Sequence, residues 1–136
     1  MDSLELFENV RKRPGMYFAQ PSYEVVAAFL LGFDLATEGG ALRGFREWLI
    51  VRNDGGNNLA WGELVLQSVF SGDSDPKARA KEAPQEAIDT IFKLVREFSL
   101  ARAEPEGMRR ILLSYEGWLR RQDWYTPDSP VWVDIP

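Results

Sequence analysis

Apolar side chains recur along most of this chain at three- and four-residue spacing, the period of helices with one buried face. Leu4, Phe7 and Val10 open the series. Asp2, with Glu5 three residues on, has the form of a capping box, so the pattern predicts a first helix over about 3–12. Arg11, Lys12 and Arg13 complement its dipole, and Pro14-Gly15 stops it. Ser22 caps a second helix carrying Val25, Val26, Phe29, Leu30 and Phe33, which Gly39-Gly40 ends. A third segment holds Leu42, Phe45, Trp48 and Leu49, interrupted by Gly44. It reads as helix, with a strand over Leu49 to Arg52 left open.

Asn53-Asp54-Gly55-Gly56-Asn57-Asn58 is the strongest loop signal, since each of these residues favours turns or left-handed backbone. Asn58 is expected to cap the next element, in which Trp61, Val65, Val69 and Phe70 suggest a helix up to Gly72. The β-branched content of Leu64 to Phe70 keeps a strand open there. Ser71 to Asp75 is polar enough for a surface loop, and Asp75-Pro76 looks like a cap with a first-turn proline. Pro84 opens the longest helix, with Ile88, Ile91, Phe92, Val95 and Phe98 as its stripe. Pro105 opens a companion carrying Met108, Ile111, Leu112, Tyr115 and Leu119, with Glu116 and Arg120 at favourable i,i+4 spacing. The two should pack as a hairpin. From Asp123 the alternation is poor, and an extended strap anchored by Trp124, Tyr125 and Trp132 is expected, with a strand over Val131 to Ile135 open. The fold class is therefore mainly α: one domain over residues 1–136, of five or six helices with an extended C-terminal tail.

Composition narrows the function more than the fold. At 136 residues, with five Trp and eight Phe, the chain has the volume for one real core. No apolar run reaches the length of a membrane span, and the acidic start is unlike a signal peptide, which points to a cytoplasmic protein away from membranes. The net charge of −5 disfavours nucleic acid and suits a basic partner. The chain has neither His nor Cys. This removes Ser-His-Asp and Cys-His catalysis, thiol redox chemistry, disulfides and the usual zinc and haem ligands. No cofactor, metal or catalytic residue is assigned.

Val10-Arg11-Lys12-Arg13-Pro14-Gly15-Met16-Tyr17 resembles the arm near the N-terminus of the DNA gyrase B subunit and its topoisomerase relatives. In that family an acidic Glu-Val-Val-Asp-Asn run supplies the general base and a magnesium ligand, and an Asp-x-Gly-x-Gly contacts adenine. Glu24-Val25-Val26 and Asp54-x-Gly56 echo these. Ala27 and Ala28 replace the Asp and Asn, Asn58 replaces the second glycine, and nothing after Gly72 resembles the phosphate lid. The resemblance thus implies at most a degenerate nucleotide-binding domain.

Arg13, Pro14, Gly15, Met16 and Tyr17, followed by Phe29-Leu30-Leu31-Gly32-Phe33, also resemble small bacterial proteins, some of them immunity proteins of polymorphic-toxin loci. That resemblance implies a non-catalytic inhibitor whose protein partner is a cognate toxin. A structural or regulatory subunit is a further alternative. An architectural reading of the motif stands beside both: proline fixes the exit from the first helix, glycine allows the turn, and Met16, Tyr17 and Phe18 fold back over the helices. The residues expected to face a partner are Asp54, Asn57, Asn58 and Trp61 around the glycine-rich loop, Asp73 and Asp75, and Asp123, Trp124 and Asp128 near the end. Exposed acids steer a basic partner, and tryptophans near loops serve as anchors. Asp73-x-Asp75 lacks the further ligands of a calcium loop. Trp48 and Trp118 fall on or beside helix stripes and are expected in the core.

Overall fold

The computed structural model describes residues 2–126 and residue 128. Among these residues all regular structure is helical. There are seven α-helices: α1 (Ser3–Lys12), α2 (Tyr23–Ala36), α3 (Phe45–Asn53), α4 (Trp61–Val69), α5 (Pro76–Glu82), α6 (Pro84–Ala103) and α7 (Gly107–Arg120). A single 3-10 turn, Pro14–Met16, follows α1. The mainly α class holds, with seven helices rather than five or six. The uncounted one is α5. Asp75 caps it as the sequence suggests, its carboxylate accepting from the Ala78 amide at 3.2 Å, but Ala80 is its one buried residue, so it has no apolar stripe to see.

Side-chain caps set the starts of three helices, α1, α2 and α5. The Asp2 carboxylate accepts from the Glu5 amide at 2.8 Å, and the Ser22 hydroxyl accepts from the Val25 amide at 3.2 Å. Glu116 and Arg120 pair at 2.7 Å as their spacing requires. Other boundaries shift for identifiable reasons. Gly44 does not interrupt α3 but precedes it, in left-handed backbone with φ 93°, so Leu42 is buried outside the helix. The α2 helix ends at Ala36, before the glycines, and a run of turns leads to Gly44. Ala60, not Asn58, stands at the cap position of α4 and offers no side-chain bond. The companion helix begins at Gly107, because Glu106 takes up left-handed backbone with φ 60°. Leu49 to Arg52 and Leu64 to Phe70 are not strands. Phe45, Leu49 and Ile50 bury together on α3, and Leu64, Val65 and Leu66 on α4, so helical burial outweighs β propensity. Trp132 and the segment Val131 to Ile135 lie outside the described residues.

The α6 helix is the central element, packed by α1, α2, α3, α4, α5 and α7. It buries Ala87, Ile88, Ile91, Phe92, Leu94, Val95 and Phe98. Phe98 sits 5.2 Å from the Phe45 ring and 6.0 Å from Trp48, while Phe7 of α1 meets Phe33 edge-on at 5.3 Å. Each fully buried ring, such as Phe7, Phe45 and Phe98, contributes about 1.5–3 kcal/mol through burial alone. Trp118 is buried as expected, and Trp48 packs against the core half-exposed. The α7 helix lies against both α3 and α6. Arg102, near the end of α6, donates to the carbonyls of Gly39, Gly40 and Arg43, which fastens the α2–α3 connection to the central helix. No polar or charged residue among those described is buried in the core.

Candidate binding cleft

A concave feature lies where the first turns of α2 and α4 meet α5 and the start of α6. It is a cleft of about 640 Å³ lined by Pro21, Tyr23, Ala27, Ala60, Leu66 and Ala80, with Glu24, Glu63, Lys77 and Lys81 among its charged residues. That volume is in the range of natural ligand pockets, about 300–1,000 Å³. Two features hold it open. Gly62 faces free space, since a Cβ there would meet nothing within 4 Å. Tyr23 bridges the walls, its hydroxyl donating to the Gly62 carbonyl at 2.5 Å. Burial pushes the Tyr23 phenol well above its ordinary pKa, so it stays a neutral donor.

The rim is charged. Lys77 pairs with Glu63 at 3.0 Å, and that hydrogen bond raises the ammonium's pKa, with Asp75 and Glu24 adding attraction. Glu24 on α2 and Lys81 on α5 are exposed and form no ion pair within 4 Å among the described residues. The cleft therefore presents an apolar floor between an acid and an amine that are both available to a ligand. Nothing in the hydrophobic periodicity marks this gap between helices. The one signal in the sequence is Gly62, a residue without a side chain in the first turn of α4.

The residues singled out from the sequence are distributed differently. The Asn53 to Asn58 loop is part of the fold rather than a free surface. Asn53 donates to the Leu64 carbonyl at 3.0 Å, and Asp54 accepts from the Trp118 indole at 2.8 Å. The Asn57 side chain accepts from the Tyr115 hydroxyl, whose pKa burial raises. Arg46 donates to the carbonyls of Asn57 and of Leu59, the latter at 2.8 Å. Gly56 is obligatory, with φ 86° and Leu64 Cδ2 only 2.3 Å from where a Cβ would stand. Asn58 is exposed, and Trp61 is half-buried with its ring 5.7 Å from Phe45.

Trp124 is exposed but leans edge-on against Trp118 at 6.2 Å. With Asp54, Asn57 and Asn58 it lines a shallow depression of about 430 Å³. Asp73 lines another, beside Arg52 and Gln67, while Asp75 is occupied as the α5 cap. Asp123 and Asp128 are exposed. The structure thus joins Asp54, Asn57, Asn58 and Trp124 and leaves Asp73 apart. Glu24 and Asp54, the two echoes of a nucleotide site, line different depressions. Among the described residues no three acidic side chains converge as a metal site would require.

The Arg13 to Tyr17 motif corrects its architectural reading. Only Phe18 folds inward, its ring 5.6 Å from Phe29. Met16 is 72% exposed and Tyr17 44% exposed. Gly15 has neither a positive φ nor a neighbour within 4 Å of a Cβ, so this fold does not demand glycine there. Arg11 is engaged with Glu8 at 3.0 Å, and Lys12 and Arg13 are exposed. No protein-family model, no curated protein and no solved structure matches the chain.

Proposed function

We propose that this protein is a non-catalytic binding domain that acts as an immunity-type inhibitor, using the cleft between α2, α4 and α5 to seat part of a toxin encoded beside it. The reading is carried by the cleft itself: an apolar floor of ligand-binding size, with Glu24 and Lys81 unpaired on its rim. Such a floor accepts an apolar anchor from a protein partner, and the two opposite charges fix its orientation. No helix among the described residues is long and apolar enough to cross a membrane, so the partner is sought in the aqueous phase.

The test is calorimetric titration of the protein with the product of the adjacent gene. A one-to-one complex is expected, weakened at least tenfold by Glu24→Lys and by Lys81→Glu, two exposed changes that leave the core untouched. Unaltered affinity in both variants would remove the cleft from the interface. Absence of binding to any neighbour-encoded protein would remove the inhibitor reading.

A further inference from the structure

Among the described residues the α2 helix lacks a cover that its sequence demands. Among its fourteen residues only Glu24 and Asp34 are charged. Glu24 belongs to the cleft, and the Asp34 carboxylate is turned to the Leu42 amide, from which it accepts at 2.7 Å. Helices apolar on every side are normally enclosed. Here Tyr23, Val26 and Leu30 face the core, while the opposite face leaves Val25 41%, Leu31 44% and Leu35 68% exposed. Ala28 and Gly32 are exposed between them, and a Cβ on Gly32 would meet nothing within 4 Å.

We infer that this face pairs with the same face of a second copy, α2 against α2 in antiparallel orientation about a two-fold axis between Ala28 and Gly32. The spacing of the crest carries the inference. Val25, Ala28, Gly32 and Leu35 follow one another at three, four and three residues, the a and d positions of a helix seam. Their sizes run large, small, small, large, so spacing and size order read the same in both directions. An antiparallel two-fold sets Ala28 against Gly32 of the partner copy, where the backbones approach closely, and Val25 against Leu35 on either side. Glu24 then falls opposite Ala36, and no like charges meet along the seam.

Area decides the expected strength. With Val25, Leu31 and Leu35 each about half exposed and Ala28 and Gly32 between them, this face offers on the order of 300–400 Å² per copy, short of the roughly 500 Å² per partner that a specific interface needs. Met16 and Tyr17 are exposed on the turn whose Phe18 packs against Phe29 of the same helix, and the proposed pairing takes the remaining area from them. The pairing gives the exposed part of the Arg13 to Tyr17 motif a use that the monomer does not. It rests on neither the cleft nor any toxin, although Glu24 borders both the cleft and the seam.

Sedimentation velocity from about 1 to about 300 µM spans the micromolar dissociation expected of so small an interface. The wild-type protein should move from monomer to dimer across that range. Leu35→Glu and Gly32→Gln, both at exposed positions, should remain monomeric with unchanged helical circular dichroism, and Met16→Ser with Tyr17→Ser should weaken dimerisation about tenfold. The chain has no cysteine, so register is readable by cross-linking. An Ala28→Cys chain mixed with a Gly32→Cys chain should give more mixed disulfide than either gives alone, since only the mixed pair brings Cα atoms within about 7 Å. A wild-type monomer at every concentration, a dimer indifferent to Leu35→Glu, or equal yields of mixed and self disulfides would overturn the inference.

Discussion

Replacing Gly107 by alanine sets two opposed effects against each other. Helix propensity favours alanine by about 1 kcal/mol in a helix interior, and by less at the first position of α7, where Gly107 lies. Sterics oppose it. The added Cβ would stand 2.4 Å from the Ala101 carbonyl oxygen and 2.5 Å from that of Arg102, both backbone atoms of α6. Carbon rarely approaches a carbonyl oxygen closer than about 3.3 Å, so the α6–α7 corner must open by roughly 0.9 Å. No side chain can rotate away to relieve this, and the site is buried. Overpacking of this kind costs about 3 kcal/mol, which outweighs propensity and leaves a net loss of about 2–3 kcal/mol. For a domain of this size that lowers Tm by about 10 °C. Gly117 in the same helix is the control. A Cβ there meets only Arg121 Nη1 at 3.5 Å, an ordinary contact, so Gly117→Ala should gain up to about 1 kcal/mol. Urea unfolding followed by tryptophan fluorescence and by circular dichroism measures both. A Gly107→Ala protein as stable as wild type would refute the reasoning.

Arg46→Met should cost about 2 kcal/mol and deprotect amides 53–59 to hydrogen exchange, because it strands the carbonyls of Asn57 and Leu59; unchanged exchange would show that the loop stands without the guanidinium. Tyr23→Phe should cost about 1 kcal/mol near neutral pH through the lost bond to Gly62. The sign reverses in alkali: the folded phenol holds its proton beyond the ordinary value near 10 while the unfolded one releases it, so this stabilisation is complete below pH 10 and lost above it by about 1.4 kcal/mol per unit. Urea titrations at pH 8, 10 and 11 should therefore show the variant overtaking wild type, and parallel pH profiles would contradict the buried phenol. Asp75→Ala should remove the α5 cap at a cost of about 1 kcal/mol. Because α5 buries only Ala80, the loss should appear as faster exchange over 76–82 rather than in global unfolding, and a large fall in global stability would argue against a locally held helix.

How much of the candidate site was legible follows from the kind of signal each residue carries. The loop from Asn53 to Asn58 was visible because its residue types favour turns, but turn chemistry says nothing about what the side chains grip. Arg46, Tyr115 and Trp118 lie up to tens of residues away in sequence, and their bonds convert an apparent binding loop into a structural clasp. The cleft left almost no trace, since Glu24, Gly62 and Lys81 come from three separate helices and acquire a shared environment only when those helices meet.

By itself the sequence determined the helical class, the capped starts at Asp2, Ser22 and Asp75, and the stripes of α1, α6 and α7, all of which are set within a few residues along the chain. It also excluded every chemistry that needs His or Cys. Only the tertiary structure decided that Leu64 to Val69 is helical, that Gly107 sits against the α6 carbonyls, and that one face of α2 stays open among the described residues. The physical reason is one of range. Caps and periodicity act between neighbours in the chain, whereas burial, close approach and an uncovered face depend on which distant surfaces meet.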